Sequence, residues 1–125
     1  MKLIDTTVAV DHLRGVPAAV DLLTALTDGG DDLVASEPVR FELLAGIRNK
    51  ELTAFEEFCS ALHWAPVTED VSRVAGQLAR RHRRSHSGIG AVDYLIAATA
   101  IVIDADLLTT NVRHFPMFTK LRAPY

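Results

Sequence analysis

The chain has 125 residues and a formal net charge of −3, from 16 acidic and 13 basic side chains, so residues 1–125 fit one domain and leave little room for a second. Hydrophobic residues make up 49% and charged residues 23%, which excludes a disordered chain, and the mild acidity excludes a nonspecific nucleic-acid coat. The longest apolar run, Tyr94 to Ile103, is about half of the roughly 20 residues that a bilayer-spanning helix needs; no signal-peptide pattern follows Lys2, and the single Cys59 can form neither an internal disulfide nor a thiolate zinc site. The expectation is a cytoplasmic protein with no membrane association.

Lys2 to Asp5 is a short apolar run that ends in an acid, and it reads as a first strand delivering Asp5 to its carboxyl end. Helical signal follows at once, and Pro17 suits the first turn of a helix that runs to Asp28, where Gly29 and Gly30 stop it. Leu33 to Ala35 is a second strand candidate. Ser36 is a plausible N-cap, with Pro38 just inside a helix that continues to about Ile47. A further helix spans roughly Leu52 to Leu62, and His63 to Ala65 reads as a third strand closed by Pro66. Thr68 caps a helix whose apolar positions Val71, Val74, Ala75 and Leu78 follow amphipathic spacing and which runs into an arginine cluster at Arg80, Arg81, Arg83 and Arg84. A polar, glycine-containing loop from Ser85 to Gly90 precedes a helix from Ala91 to Ile103 with almost no polar side chains. Leu107 to Thr109 is a fourth strand, followed by a short element around Val112 to Phe118 and a C-terminal strand or tail. Alternating strands and helices, without repeat or linker, imply an α/β/α sandwich around a mainly parallel sheet.

Three acids stand out against this pattern. On the helix after Ser36, Val39, Phe41, Leu43, Leu44 and Ile47 cover most of the circumference, and Glu42 borders that arc. Asp93 lies on a helix that is apolar all round, where the ordinary reading is a first-turn acid favoured by the helix dipole. Asp5 has the ordinary reading of a turn former. In open parallel sheets functional residues gather beyond the carboxyl ends of the strands, near the point where strand order reverses, which would bring Asp5, Glu42, Asp93 and Asn111 to one end of the domain. At 5 Å and an effective dielectric of about 20, each carboxylate pair costs roughly 3 kcal/mol, so such a cluster calls for compensation. A hard divalent cation with oxygen ligands, Mg²⁺ or Mn²⁺, is the natural candidate.

Ile4-Asp5-Thr6-Thr7-Val8, Ser36 followed by Glu42-Leu43, Asp93 to Ala100, and Leu108-Thr109-Thr110-Asn111-Val112-Arg113-His114-Phe115 together resemble, in order and along the whole chain, a PIN domain of the VapC toxin type. The resemblance implies a single PIN-like domain with the activity of a metal-dependent endoribonuclease toxin that cuts RNA of the translation machinery, often transfer RNA. It also implies neutralisation by a VapB-type antitoxin, and a homodimer. By the same resemblance Asp5, Glu42 and Asp93 are the metal-binding acids, Asn111 stands at a fourth, usually acidic catalytic position, and Thr7 and Thr109 supply supporting hydroxyls. Arg80, Arg81, Arg83, Arg84 and Arg113 are candidates for the RNA backbone, the ordinary reading of the arginine run being a solvated helix end. His114 is read as structural or phosphate-contacting. The helices Pro17 to Asp28 and Leu52 to Leu62 are expected to wall a site for an amphipathic partner helix.

Other readings fit less well. A haloacid-dehalogenase-like phosphatase needs a second aspartate where Thr7 stands. The Asp104-Ala105-Asp106 pair has the form used by Toprim-like nucleases but reads as a polar turn before the fourth strand. The alternative from another class is a catalytically inactive PIN-fold module that binds RNA or protein, which would be expected to have lost one of the three core acids.

Overall fold

The computed structural model describes residues 1–125. Strand β1 (Lys2–Ile4) is central, and its consecutive residues Leu3 and Ile4 are both fully buried. A strand whose alternate faces are both apolar and both covered must have helices above and below it. It pairs in parallel with β2 (Leu33–Ser36) on one side and β4 (Asp106–Leu108) on the other, and β3 (His63–Ala65) extends the sheet beyond β2. The order β3-β2-β1-β4 means that the chain works outward through β2 and β3, then crosses back to lay β4 on the free side of β1. The reversal of direction lies between β1 and β4, and the crevice beyond their carboxyl ends is where such sheets bind ligands.

Six helices cover the sheet: α1 (Thr6–Leu13), α2 (Pro17–Asp28), α3 (Glu37–Gly46), α4 (Leu52–Ser60), α5 (Glu69–His82) and α6 (Ala91–Val102). The α/β/α architecture and the all-parallel sheet match the sequence expectation, with element ends shifted by a residue or two. Gly30, at φ +85°, turns the chain out of α2 in a conformation that any other side chain would strain. The stripe on α5 is realised, with Val71, Ala75 and Leu78 buried against α6 and the Thr68 hydroxyl accepting from the Val71 N–H at 3.2 Å. Helix α6 is the most enclosed, burying Tyr94 and the run from Ile96 to Ala100.

The structure corrects several readings. The apolar arc on α3 is narrower than expected: Val39 and Leu43 are buried, whereas Phe41 is 66% and Leu44 44% exposed, because only one side of α3 meets α1, α6 and the sheet. Ser36 is the N-cap of α3 by position, but its hydroxyl makes no capping bond and is buried without a partner. Asp106 belongs to β4 rather than to a preceding turn and binds Lys2 of β1 at 2.9 Å; Asp104, at φ +55°, stays in the turn with Ile103. Of the readings that hold, the short element expected around Val112 to Phe118 is one 3-10 turn, Val112–His114, and of the strand or tail expected after it the C-terminal residues form the tail.

At the far edge of the sheet Trp64 of β3 lies under the Arg40 guanidinium, 3.9 Å from the ring centroid, and donates its indole N–H to the Cys59 carbonyl at 3.0 Å. Arg40 is itself paired with Glu37 one turn earlier at 2.7 Å.

Candidate active site

Asp5 is the residue that leaves β1 and caps α1 by position; its N–H donates to the Leu108 carbonyl at 2.9 Å, which locks the end of β1 to the end of β4. Its side chain is only 3% exposed. Two hydroxyls converge on one of its oxygens: Thr109 donates to Oδ2 at 2.6 Å and Thr7 donates to the same atom at 3.1 Å. The threonines are tied into the backbone in turn, since Thr109 Oγ1 accepts from the Asn111 N–H at 2.9 Å and Thr7 Oγ1 accepts from the Thr110 N–H at 3.2 Å. The two hydroxyls that the family resemblance singled out thus both bond this carboxylate.

No Lys, Arg or His forms an ion pair with Asp5. Burial pushes its carboxyl above the ordinary carboxylate range, against the opposing pull of the Thr109 hydroxyl, the Thr6 N–H and the Thr7 hydroxyl, and the nearby charge of Asp93 pushes it further up. The two aspartates, 88 positions apart in the chain, are linked through the turn after β4: Thr109 Oγ1 bonds both Asp5 Oδ2 and the Asn111 N–H, and His114 Nδ1 lies between the Asn111 amide and Asp93 Oδ2.

Asp93 stands in the first turn of α6, where its Oδ2 accepts from the Gly90 N–H at 3.3 Å, so the helix-start reading is realised as well. The same Oδ2 lies 3.0 Å from His114 Nδ1, and that nitrogen lies 2.8 Å from the Asn111 side-chain amide. Glu42 is half-buried on α3, and the Thr6 hydroxyl donates to its Oε1. No three acidic, histidine or cysteine side chains converge into a ready-made cation cage; Asp5 and Asp93 are joined only through Thr109, Asn111 and His114, and Glu42 is held separately by Thr6. The Thr6 and His114 contacts had no signal in the sequence beyond their nearness to Asp5 and Asn111.

The donor chemistry suits a hard cation. The acids and threonines offer oxygen, the deepest carboxylate is buried without a positive partner, and the Ser36 hydroxyl at the carboxyl end of β2 is buried with nothing to bond. A buried carboxylate and an orphaned hydroxyl both gain from a divalent ion and its water.

Of the expected RNA-facing arginines, Arg80 and Arg81 end α5, Arg83 and Arg84 follow it, and Arg113 lies in the 3-10 turn after β4. All five are exposed and none is engaged in an ion pair. The segment from Arg83 to Gly90 connects α5 to the helix that carries Asp93, whereas Asp31 and Asp32 precede β2 at the amino end of the sheet.

The sequence matches the family described as PIN domain over residues 2–119. It is 68% identical over 125 residues to Ribonuclease VapC19 of Mycobacterium tuberculosis, with 100% of both chains covered. To Ribonuclease VapC10 of the same organism it is 46% identical over 126 residues, covering 100% of this chain and 93% of the relative. Among solved structures it is similar to a toxin-antitoxin complex from Klebsiella pneumoniae, with a TM-score of 0.84, 20% identity and coverage of 100% and 98%. It is likewise similar to VapBC2 from Rickettsia felis bound to a DNA fragment from the promoter, with a TM-score of 0.82, 22% identity and coverage of 93% and 91%. At those identities the structural likeness is one of fold. With an acid-lined crevice at the switch point of a parallel sheet, a PIN match over residues 2–119 and a 68% identical VapC relative, the chain belongs to the PIN-domain family and, within it, to the VapC proteins.

Proposed function

We propose that this chain is a divalent-metal-dependent endoribonuclease toxin, held in check by a VapB-type antitoxin. The observation that carries the reading is Asp5: a buried carboxylate without a cationic partner, cradled by two hydroxyls and repelled by Asp93. Asp5 and Asp93 would hold Mg²⁺ or Mn²⁺ directly, with Glu42 joining directly or through water. When bound, the ion supplies charge neutralisation, a water of lowered pKa and polarisation of the phosphoryl oxygen.

The chain's own residues do the rest. Thr7 and Thr109 keep the Asp5 carboxylate in one orientation, so little reorganisation remains when charge develops. Thr6 holds Glu42 toward α1. Asn111 offers an amide instead of a fourth carboxylate, which adds a neutral hydrogen-bonding group and no further repulsion for an incoming phosphate. The exposed arginines around the loop before α6 and at Arg113 offset the negative charge that an RNA backbone brings to an acidic crevice.

For the partner, the support is a groove of about 530 Å³ between α1, α2 and α4, with Leu13, Leu23, Phe58 and Leu62 in its wall and His12 stacked on Phe58. It is bounded by the two helices expected to wall a partner site, and its apolar floor fits one face of an amphipathic helix. The structural relatives named above are themselves toxin-antitoxin complexes. The proposed homodimer would cover apolar side chains such as Phe41 and Leu44 that α3 leaves in water. Transfer RNA as the target rests on family resemblance alone.

The test is incubation of total RNA with the purified chain in Mg²⁺ or in EDTA, followed by sequencing of the 5′ ends of the fragments. Discrete cuts that need Mg²⁺, clustered in transfer RNA, are expected. Intact RNA in Mg²⁺ would favour the inactive binding module instead.

A further inference from the structure

We propose that His114 is a positioning residue, which uses Nδ1 to fix the Asp93 carboxylate against the Asn111 amide so that one carboxylate oxygen is left free for a cation. The proposal rests on the reading of Asp93 as a cation ligand. Its basis is a single nitrogen with two polar neighbours: Nδ1 is 3.0 Å from Asp93 Oδ2 and 2.8 Å from the Asn111 side-chain nitrogen. If Nδ1 carried no hydrogen it could accept from that amide, but its lone pair would then face the lone pairs of a carboxylate. With the hydrogen on Nδ1 that one hydrogen is shared in a three-centre bond between Asp93 Oδ2 and the amide, whose two ends are assigned from such networks and whose oxygen then faces the ring. In that arrangement the Asn111 amide N–H groups remain available as donors, and its oxygen is committed to the imidazole rather than to a metal.

The ring can act as a fixed point because the turn that carries it is anchored. The His114 N–H donates to the Asn111 carbonyl at 3.0 Å, and the next residue, Phe115, is 1% exposed in the core. The side chains of His114 and Asp93 are 30% and 20% exposed, so the contact is partly shielded from water. Both hydrogen bonds to Asp93, from Gly90 and from His114, end on Oδ2, and none reaches Oδ1. The carboxylate is therefore clamped by one oxygen, and the other is the one it can offer a cation. A second-row partner of this kind orients a ligand and raises metal affinity without touching the metal.

The experiment is Mn²⁺ calorimetry on the whole chain and three variants. His114→Phe keeps the ring and removes Nδ1. His114→Asn returns an amide N–H near the place of Nδ1, whereas His114→Gln reaches toward the place of Nε2. Expected are a loss of Mn²⁺ affinity of about 10- to 100-fold for His114→Phe, recovery to within about threefold for His114→Asn, and no recovery for His114→Gln. Metal-free melting of His114→Phe should stay within about 2 °C of wild type. If that variant does not fold, the order of Asn and Gln still decides. Wild-type affinity in His114→Phe, or rescue by Gln and not by Asn, would overturn the proposal while leaving the metal site standing. Absence of Mn²⁺ binding by the wild type would overturn the metal-site reading and this proposal with it.

Discussion

The crevice beyond β1 and β4 and the groove between α1, α2 and α4 are incomplete in opposite ways. In the crevice the side chains are already committed to one another: Thr109 and Thr7 to Asp5, Thr6 to Glu42, His114 to Asp93. What the crevice lacks is positive charge. The groove has few such commitments; Leu13, Leu23, Phe58 and Leu62 line it beside Asp28 and Glu57, and His12 Nδ1 is buried there with no partner. What the groove lacks is covered area. One small domain thus carries two regions of unlike physics, so a perturbation chosen for one should pass the other by.

The largest break should come from Asp93→Asn, which removes a charge from the crevice and leaves the groove untouched. RNA cleavage is expected to fall by about 10²- to 10³-fold, since a metal site supplies several kcal/mol of transition-state stabilisation. The partner affinity should not change. Metal-free melting should rise or hold, because repulsion toward Asp5 is relieved and an amide oxygen can still accept from the Gly90 N–H; a clear fall would mean that Asp93 serves mainly to start α6.

The converse break is Thr24→Glu with Ala61→Glu, two exposed positions lining the groove. Placing carboxylates under an apolar helix face costs about 2 kcal/mol or more, so affinity for a VapB-type helical peptide should drop roughly 30-fold, with Mg²⁺-dependent cleavage unchanged. Titration of the labelled peptide against both proteins reads it. Equal affinity would move the partner off this groove.

A smaller effect is expected at the rim of the crevice. Arg83→Ala with Arg84→Ala should flatten the dependence of log affinity on log salt by about 1.4, if each arginine neutralises one phosphate of single-stranded RNA. Mn²⁺ binding and the groove should be unaffected. Parallel salt plots would take these arginines out of the phosphate track.

The smallest effect, and the one that sharpens the contrast most, is the pH dependence of metal-free stability. Asp5 has its folded pKa raised from 3.8 by burial; the folded state then holds the proton more tightly than the unfolded one, so this stability is present below 3.8 and lost as pH rises through the folded value. His12 has its folded pKa lowered from 6.5, again by burial. Here the unfolded state binds the proton better, and stability present above 6.5 is lost as pH falls through the folded value. Denaturant unfolding across pH 3 to 8 should show Asp5→Asn removing a fall in stability as pH rises above 3.8, and His12→Phe removing a fall as pH drops below 6.5. The same slope in wild type and both variants would assign the pH response elsewhere.

Much of this was legible in the sequence for a definite reason. A strand buried on both faces has to be apolar throughout, so the acid that ended Lys2 to Asp5 marked the carboxyl edge of the sheet. The spacing on α5 and the uniform apolarity of α6 likewise follow from what each helix covers. Periodicity says less where burial is one-sided and local: Phe41 and Leu44 share the apolar character of Val39 and Leu43, and only the placement of neighbouring helices decides that they face water. Asp106 looked like a turn residue because an edge strand can present a charged side chain, and its strand character depends on Lys2, 104 positions away. The contacts of Thr6 with Glu42 and of His114 with Asp93 span 36 and 21 positions and depend on single rotamers. No local pattern encodes them.

Trp64 is the chain's one tryptophan. Its indole is held between the Arg40 guanidinium and the Cys59 carbonyl on the edge strand that β2 separates from β1. Its fluorescence is therefore a reporter placed away from the chemistry. Emission should shift when α3 and α4 come away from the sheet on unfolding, yet stay constant as a cation fills the crevice at Asp5. Unfolding curves followed at this chromophore can thus be compared between metal-free and metal-bound protein without a correction for the bound ion.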